Sequence, residues 1–309
     1  MKNQLLVVIG LLGMVISACG QVIMPESALT VSVVDEAGQP IAGAKVGIED
    51  DVFGKPPSGG GISDEGGMHT GTLRTWGSLY FGARMDGYYS AGGEFQFDHG
   101  SIGKDTSQWR EKKWTPWNPT VRVTLKKKGQ AIAMYAKRVY LAPPVSDGTP
   151  VGFDLEAGDW LAPHGTGKRA DMFFSATGTI ENSDLGLTWS FPNKGDGIIV
   201  YPYDGGARSE LRSPTQAPQE GYLPEITVDA EGRPKGQSGD ARPLSFVFRV
   251  RTVLDDAGNV VTANYGKIYP EAYKAVFYLN PTPNSHVLEY DPRKNLLTGL
   301  KSHEMVNEP

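Results

Sequence analysis

The chain carries one cysteine in 309 residues, five histidines, and no helical apolar stripe of useful length beyond its N-terminal segment. Each lack excludes something. A single thiol cannot form a disulfide within the chain, so any core must hold by burial alone. His69, His99, His164, His286 and His303 are too scattered for a local metal motif, and no thiolate stands beside them, so neither a metal site nor a cofactor is read here. Without a 3.6-residue apolar period there is no case for amphipathic helices. Positive charge is not in excess either: 30 Lys and Arg face 35 Asp and Glu, a formal balance of −5. Such a chain has no electrostatic footprint for nucleic acid. The one basic run, Lys126-Lys127-Lys128, ends a strand and reads as a solvated edge guard. Motifs for phosphate or acyl chemistry are incomplete. Gly165-Thr166-Gly167-Lys168 has Ala162 where a Walker A loop begins with glycine, and Arg169 where Ser or Thr would meet magnesium. Gly236-Gln237-Ser238-Gly239 is followed by Asp240 where a nucleophile elbow requires glycine.

What is present begins at the N-terminus. Lys2, an apolar stretch from Leu5 to Ile16 and the small residues Ser17-Ala18 form a secretory signal, too short to span a bilayer. Ser17-Ala18-Cys19 resembles the lipobox of bacterial lipoproteins. The resemblance implies removal of residues 1–18, acylation of Cys19 and attachment to a membrane through that lipid. One acyl chain anchors marginally and several anchor firmly, at about 0.8 kcal/mol per buried methylene. Gly20, where an Asp would favour inner-membrane retention, points to the outer membrane. The plainer alternative is an unmodified thiol behind an ordinary signal. After cleavage 29 basic and 35 acidic residues remain, and residues 19–28 form a tether.

Glycine (39) and proline (22) make about a fifth of the chain, against an average of roughly 12%. Many turns, together with β-branched and aromatic residues, predict an all-β protein. In residues 29–127, Leu29–Val34, Ala44–Ile48, Leu79–Arg84 and Val121–Leu125 alternate as strands, with turns at Asp35–Gly38 and Ser63–Gly67. Val31-x-Val33-x-Asp35-x-x-Gly38-x-Pro40-Ile41-x-Gly43-Ala44-x-Val46, then Asp64-x-x-Gly67 and Asp86-Gly87-Tyr88, resemble the carboxypeptidase-regulatory-like domain. That resemblance implies a transthyretin-like, Ig-like β-sandwich serving as an accessory module, with no catalytic residue. It covers about a third of the chain; the stretches 50–63 and 95–119 depart from it.

Residues 130–309 show at least eight short strands between Gly/Pro-rich turns, among them Met134–Leu141, Leu187–Phe191, Ser245–Val253 and Ala275–Leu279. They predict a second sandwich, jelly-roll-like. Asp204–Gly221 reads as a surface loop, and Asn280–Asn295 as a cap or ligand loop.

Two constellations are candidates for function. Trp109, Trp114 and Trp117 lie in the insertion near 95–119 with Phe95, Phe97 and basic neighbours; they suit either a glycan or peptide surface or, as the preferred reading, a staple onto the sandwich. Asp154, Glu156 and Asp159 sit beside Trp160. Paired carboxylates next to an aromatic suit glycoside hydrolysis, while three acids in a glycine-containing turn more simply make a solvated bend, or at most a calcium site. The sequence favours a lipid-anchored, non-catalytic envelope protein that binds a glycan or another envelope protein. The alternative is a carbohydrate-active enzyme, or a glycan-binding lipoprotein.

Overall fold

The computed structural model describes residues 24–50, 59–97, 112–140, 142–178, 186–202, 207–229, 232–235, 243–271 and 274–309. All regular structure in them is β. The first half contains β1 (Glu26–Val34), β2 (Lys45–Asp50), β3 (Gly61–Ile62), β4 (Met68–Arg74), β5 (Ser78–Arg84), β6 (Tyr88–Tyr89), β7 (Ala91–Gln96), β8 (Thr120–Thr124) and β9 (Lys126–Lys127). The second half contains β10 (Ile132–Tyr140), β11 (Val151–Asp154), β12 (Asp159–Trp160), β13 (Met172–Thr177), β14 (Gly186–Ser190), β15 (Gly197–Pro202), β16 (Arg208–Ser209), β17 (Glu225–Val228), β18 (Pro243–Leu254), β19 (Val260–Glu271), β20 (Lys274–Leu279) and β21 (Tyr290–Asn295).

In the first half a sheet ordered β4-β1-β8 packs on a sheet ordered β16-β7-β5-β2-β3. β1 is antiparallel to β4 and parallel to β8. Alternation aims Leu29, Val31 and Val33 at Val46, Ile48, Leu79 and Phe81, all buried. Asp35 Oδ1 accepts the N–H groups of Ala37 and Gln39, and Asp64 Oδ1 those of Gly66 and Met68. Both are aspartate-nucleated turns. Gly67 closes the second at φ +74°, where an added Cβ would lie 2.4 Å from the Val33 carbonyl oxygen. Only glycine fits there.

In the second half a six-stranded sheet, β15-β18-β19-β20-β10-β21, faces a five-stranded sheet, β12-β11-β13-β14-β17. Between them Phe153, Phe174, Trp189, Phe246 and Phe277 form a chain of tilted and edge-on contacts with centroids 5.0–5.9 Å apart. The outer face of the six-stranded sheet is also covered, by Tyr269, Tyr278, Tyr290 and Val306 in one cluster and Val247, Tyr265 and Leu288 in another. Burial on both faces explains the unbroken apolar run Ala275–Leu279.

A cross-sheet ion pair pins this sandwich. The register of β18 and β19 slips between Val250 and Val253, and within the bulge Arg251 adopts φ +59°. Its Nε and Nη2 donate to Asp171 at 2.8 and 2.9 Å, and Nη1 donates to Glu156 at 3.0 Å. The Asp171 side chain is fully buried and also accepts the Leu155 N–H.

Several segments depart from the sequence reading. Met68–Arg74 and Ala91–Gln96 form strands although glycine and polar residues dilute their alternation. Tyr290–Asn295, expected as loop, forms β21 parallel to β10. Within 204–221, expected as surface, Leu211, Ser213 and Ala217 are buried, and β16 adds a strand to the first-half sheet beside β7. The halves are joined further by Tyr89, whose hydroxyl donates to Glu289 at 3.0 Å, and by Lys126, which donates to the Leu211 and Ser213 carbonyls at 3.0 and 2.7 Å.

Candidate functional site

A groove of about 980 Å³ lies on the outer face of the β16-β7-β5-β2-β3 sheet, walled on one side by second-half residues. Its floor follows from strand register. Gly47, Gly82 and Gly92 stand directly opposite one another across β2, β5 and β7, and Arg208 of β16 completes the row. At about 4.8 Å per strand this trough is roughly 14 Å long and crosses the strands. Two positions along the strands on one side, Lys45 faces Arg84; two positions along on the other, Glu49 faces Tyr80, which is 43% exposed. The second-half wall is an ion-pair chain: Arg138 to Glu271 at 3.1 Å, Arg138 to Glu308 at 3.6 Å and Arg212 to Glu308 at 3.2 Å. The Arg212 guanidinium also lies 4.2 Å over the Tyr269 ring. The groove thus offers donors and acceptors of both signs beside one aromatic face.

The backbone reason for the glycines differs along the row. A Cβ on Gly92 would come within 2.6 Å of the Phe81 carbonyl oxygen, and one on Gly82 within 3.1 Å of that of Ala91. A Cβ on Gly47 meets nothing nearer than a Glu49 carboxylate oxygen at 3.9 Å. The first two glycines permit close strand approach, whereas Gly47 leaves room over the sheet.

The acids of the sequence reading lie elsewhere, at the end of the second sandwich. Asp154 accepts four backbone N–H groups, those of Glu156, Ala157, Lys168 and Arg169, at 2.9–3.1 Å. Burial acts to raise its pKa, but these donors outweigh it and hold the carboxyl below its usual range. Asp159 is likewise held low: burial opposes, and the Thr166 N–H and hydroxyl and the Trp160 N–H prevail. Glu156 pairs with Arg169 and Arg251. A glycosidase acid needs a raised pKa; Asp154 and Asp159 have the reverse, with their oxygens committed to shaping the bend.

The tryptophans are dispersed. Trp114 is 1% exposed, stacks on Phe97 at 5.5 Å and donates its indole N–H to the Thr75 carbonyl, so its ring belongs to the core. Trp117 is 46% exposed, with Lys113 Nζ 4.8 Å above its ring. Trp160 is half-buried against Phe153 and Phe174 and borders an inter-sheet cavity of about 20 Å³, scarcely a water's worth of space. Trp109 and Cys19 lie outside the described residues. Among the described residues no group of three His, Cys, Asp or Glu could hold a metal ion. The groove escaped sequence reasoning because its lining comes from outward positions of separate strands; the one signal was glycine at Gly47, Gly82 and Gly92.

No family model matches the chain, and no curated sequence does. Among solved structures it is similar to the shaft pilin spaA of Lactobacillus rhamnosus GG, at 12% identity over 56% of this chain and 90% of that one, with a TM-score of 0.24. It is also similar to a DUF3823 family protein from Parabacteroides merdae, at 8% identity over 87% and 100% of the two chains, TM-score 0.22. A proposed carbohydrate-binding protein from Bacteroides uniformis matches at 7% identity over 84% and 99%, TM-score 0.21. At these scores the likeness does not bear on function.

Proposed function

We propose that this chain is a lipid-anchored cell-envelope protein that binds a glycan in the transverse groove without transforming it. The groove carries the reading. It runs across the sheet face, where the backbone amides are engaged in the ladders, so recognition falls to side chains. Carboxylates and guanidinium groups in alternation suit hydroxyls, which both donate and accept, and Tyr80 offers a flat apolar face with a polar handle. An extended peptide would instead add to a sheet edge. The resemblance of residues 29–127 to an accessory β-sandwich fits a binding role, and the Ser17-Ala18-Cys19 motif supports the anchor.

Full-length protein extracted in detergent and titrated against a glycan panel will bind at least one member, and Tyr80→Ala will weaken that binding by about tenfold or more, the scale of one lost aromatic contact of about 1.5 kcal/mol. Equal binding by Tyr80→Ala would refute the groove as the site. Mass spectrometry of the mature N-terminus will find acylated Cys19; a free thiol there would refute the anchor.

A further inference from the structure

We infer that the glycan is an acidic one, bearing carboxylate or sulfate groups, and that Lys45 and Arg84 read its charge. This rests on the glycan-groove reading of the preceding section. Lys45 and Arg84 are directly opposed in the β2–β5 register, both on the outer face and both exposed. Like charges placed so are unfavourable to the sheet, and neither makes an ion pair with any described residue.

The carboxylates around them are mostly engaged. Glu271 is held by Arg138 and Glu308 by Arg212. Glu210 accepts the Ser90 N–H at 3.3 Å. Glu49 stands beyond the trough, four residues along β2, about 13 Å away in an extended strand. The basic pair also rims a second hollow of about 560 Å³, which adds Lys128 and Asp86. Two basic side chains therefore stand on the ridge between two adjoining depressions, their Cβ atoms set about 5 Å apart by the sheet. That spacing lets an ammonium and a guanidinium converge on one planar carboxylate or one sulfate, with the guanidinium able to engage two oxygens at once. A neutral sugar would leave both cations without a counter-charge.

The test uses detergent-solubilised full-length protein and oligosaccharides offered in pairs that differ only in charge: a uronate with its methyl ester, and a sulfated chain with its desulfated form. The acidic member of a bound pair will bind about tenfold tighter at low salt, and its advantage will shrink between 0.05 and 0.5 M NaCl, given as about a 13 Å to 4 Å fall in screening length. Lys45→Gln with Arg84→Gln will erase the preference, so that the acidic and neutral members of a pair bind the variant equally. Equal binding of both members to the parent, or a preference that survives the double variant, overturns this inference and leaves the groove reading standing. If no pair binds, the acidic-glycan inference falls, and the glycan panel with Tyr80→Ala decides the groove reading separately. If poly-glutamate competes as well as the acidic glycan, charge recognition stands but the ligand class is overturned.

Discussion

Gly47 separates what the fold needs from what the groove needs. Its neighbours Gly82 and Gly92 are fixed by carbonyl oxygens across the strand, but a Cβ at Gly47 meets only the tip of a flexible Glu49 side chain at 3.9 Å. Its φ lies outside the left-handed range, so a β-branched residue fits the backbone. Glycine inside a strand costs about 0.5–1 kcal/mol relative to alanine, and valine suits a strand better still. Gly47→Val should therefore stabilise the protein by about 0.5–1.5 kcal/mol, or about 1–6 °C in Tm at roughly 2–4 °C per kcal/mol. The same isopropyl group stands on the trough floor between Lys45 and Glu49 and should abolish glycan binding. Gly92→Ala is the contrast: its Cβ would sit 2.6 Å from a carbonyl oxygen, costing about 1–3 kcal/mol as an overpacked site. Differential scanning calorimetry with ligand titration reads both quantities. A Gly47→Val protein that melts lower, or that binds as well as the parent, would refute the assignment of the trough.

Three further outcomes follow from the second half. Asp171→Ala leaves Arg251 without its buried partner and should cost about 3–5 kcal/mol, while Asp171→Ala with Arg251→Met should recover most of it; chemical denaturation of the four proteins checks the cycle, and a cost below about 1 kcal/mol for the single change would count against the pinning role. Asp154 has its pKa lowered in the fold, so its contribution is present above the unfolded value near 3.9 and is lost as pH falls through the lower folded value. Asp154→Asn should accordingly be less stable at neutral pH and lose less stability than the parent between pH 5 and 2; parallel acid limbs would refute this. Lys267 is fully buried, donates to the Tyr269 hydroxyl at 2.9 Å, and has its pKa driven well down by burial and by nearby Lys126 and Arg212. The unfolded chain then holds a proton that the fold does not, so parental stability should rise with pH up to about 10.4. Lys267→Met should remove that rise without lowering Tm at pH 7; a large drop in Tm would show that the amine is structurally required.

Strands with clean alternation, such as Val121–Leu125 and Phe246–Val250, were legible because every second residue faces the core between two sheets, and the turns at Asp35 and Asp64 were legible from residue type. β7 (Ala-Gly-Gly-Glu-Phe-Gln) and β21 (Tyr-Asp-Pro-Arg-Lys-Asn) were not, since neighbouring strands rather than apolar content hold them in place. The bend at Asp154–Asp159 could be read locally, but not all that its carboxylates hold: beside the local N–H groups, further donors come from Thr166, Lys168 and Arg169, and Arg251 reaches Glu156 from 95 positions away. The tryptophans show the same limit. Residue type marks Trp114 and Trp117 alike, and only the fold tells the enclosed ring from the exposed one.

The short strand β16 also bears on the order in which the molecule assembles. The Ser90–Glu210 contact at this seam joins residues 120 positions apart, and Tyr89 waits for Glu289, 200 positions later. At about 5–20 residues per second of synthesis, the first gap alone is roughly 6–24 s. In the later part of that interval, once β8 and Lys126 have been made, the early sandwich has its β7 margin open to any passing strand and the Lys126 amine without its two carbonyls. A chaperone or holding factor that shields this margin would raise the yield of assembled protein, and fragments ending before residue 208 should be sticky where the whole chain is not.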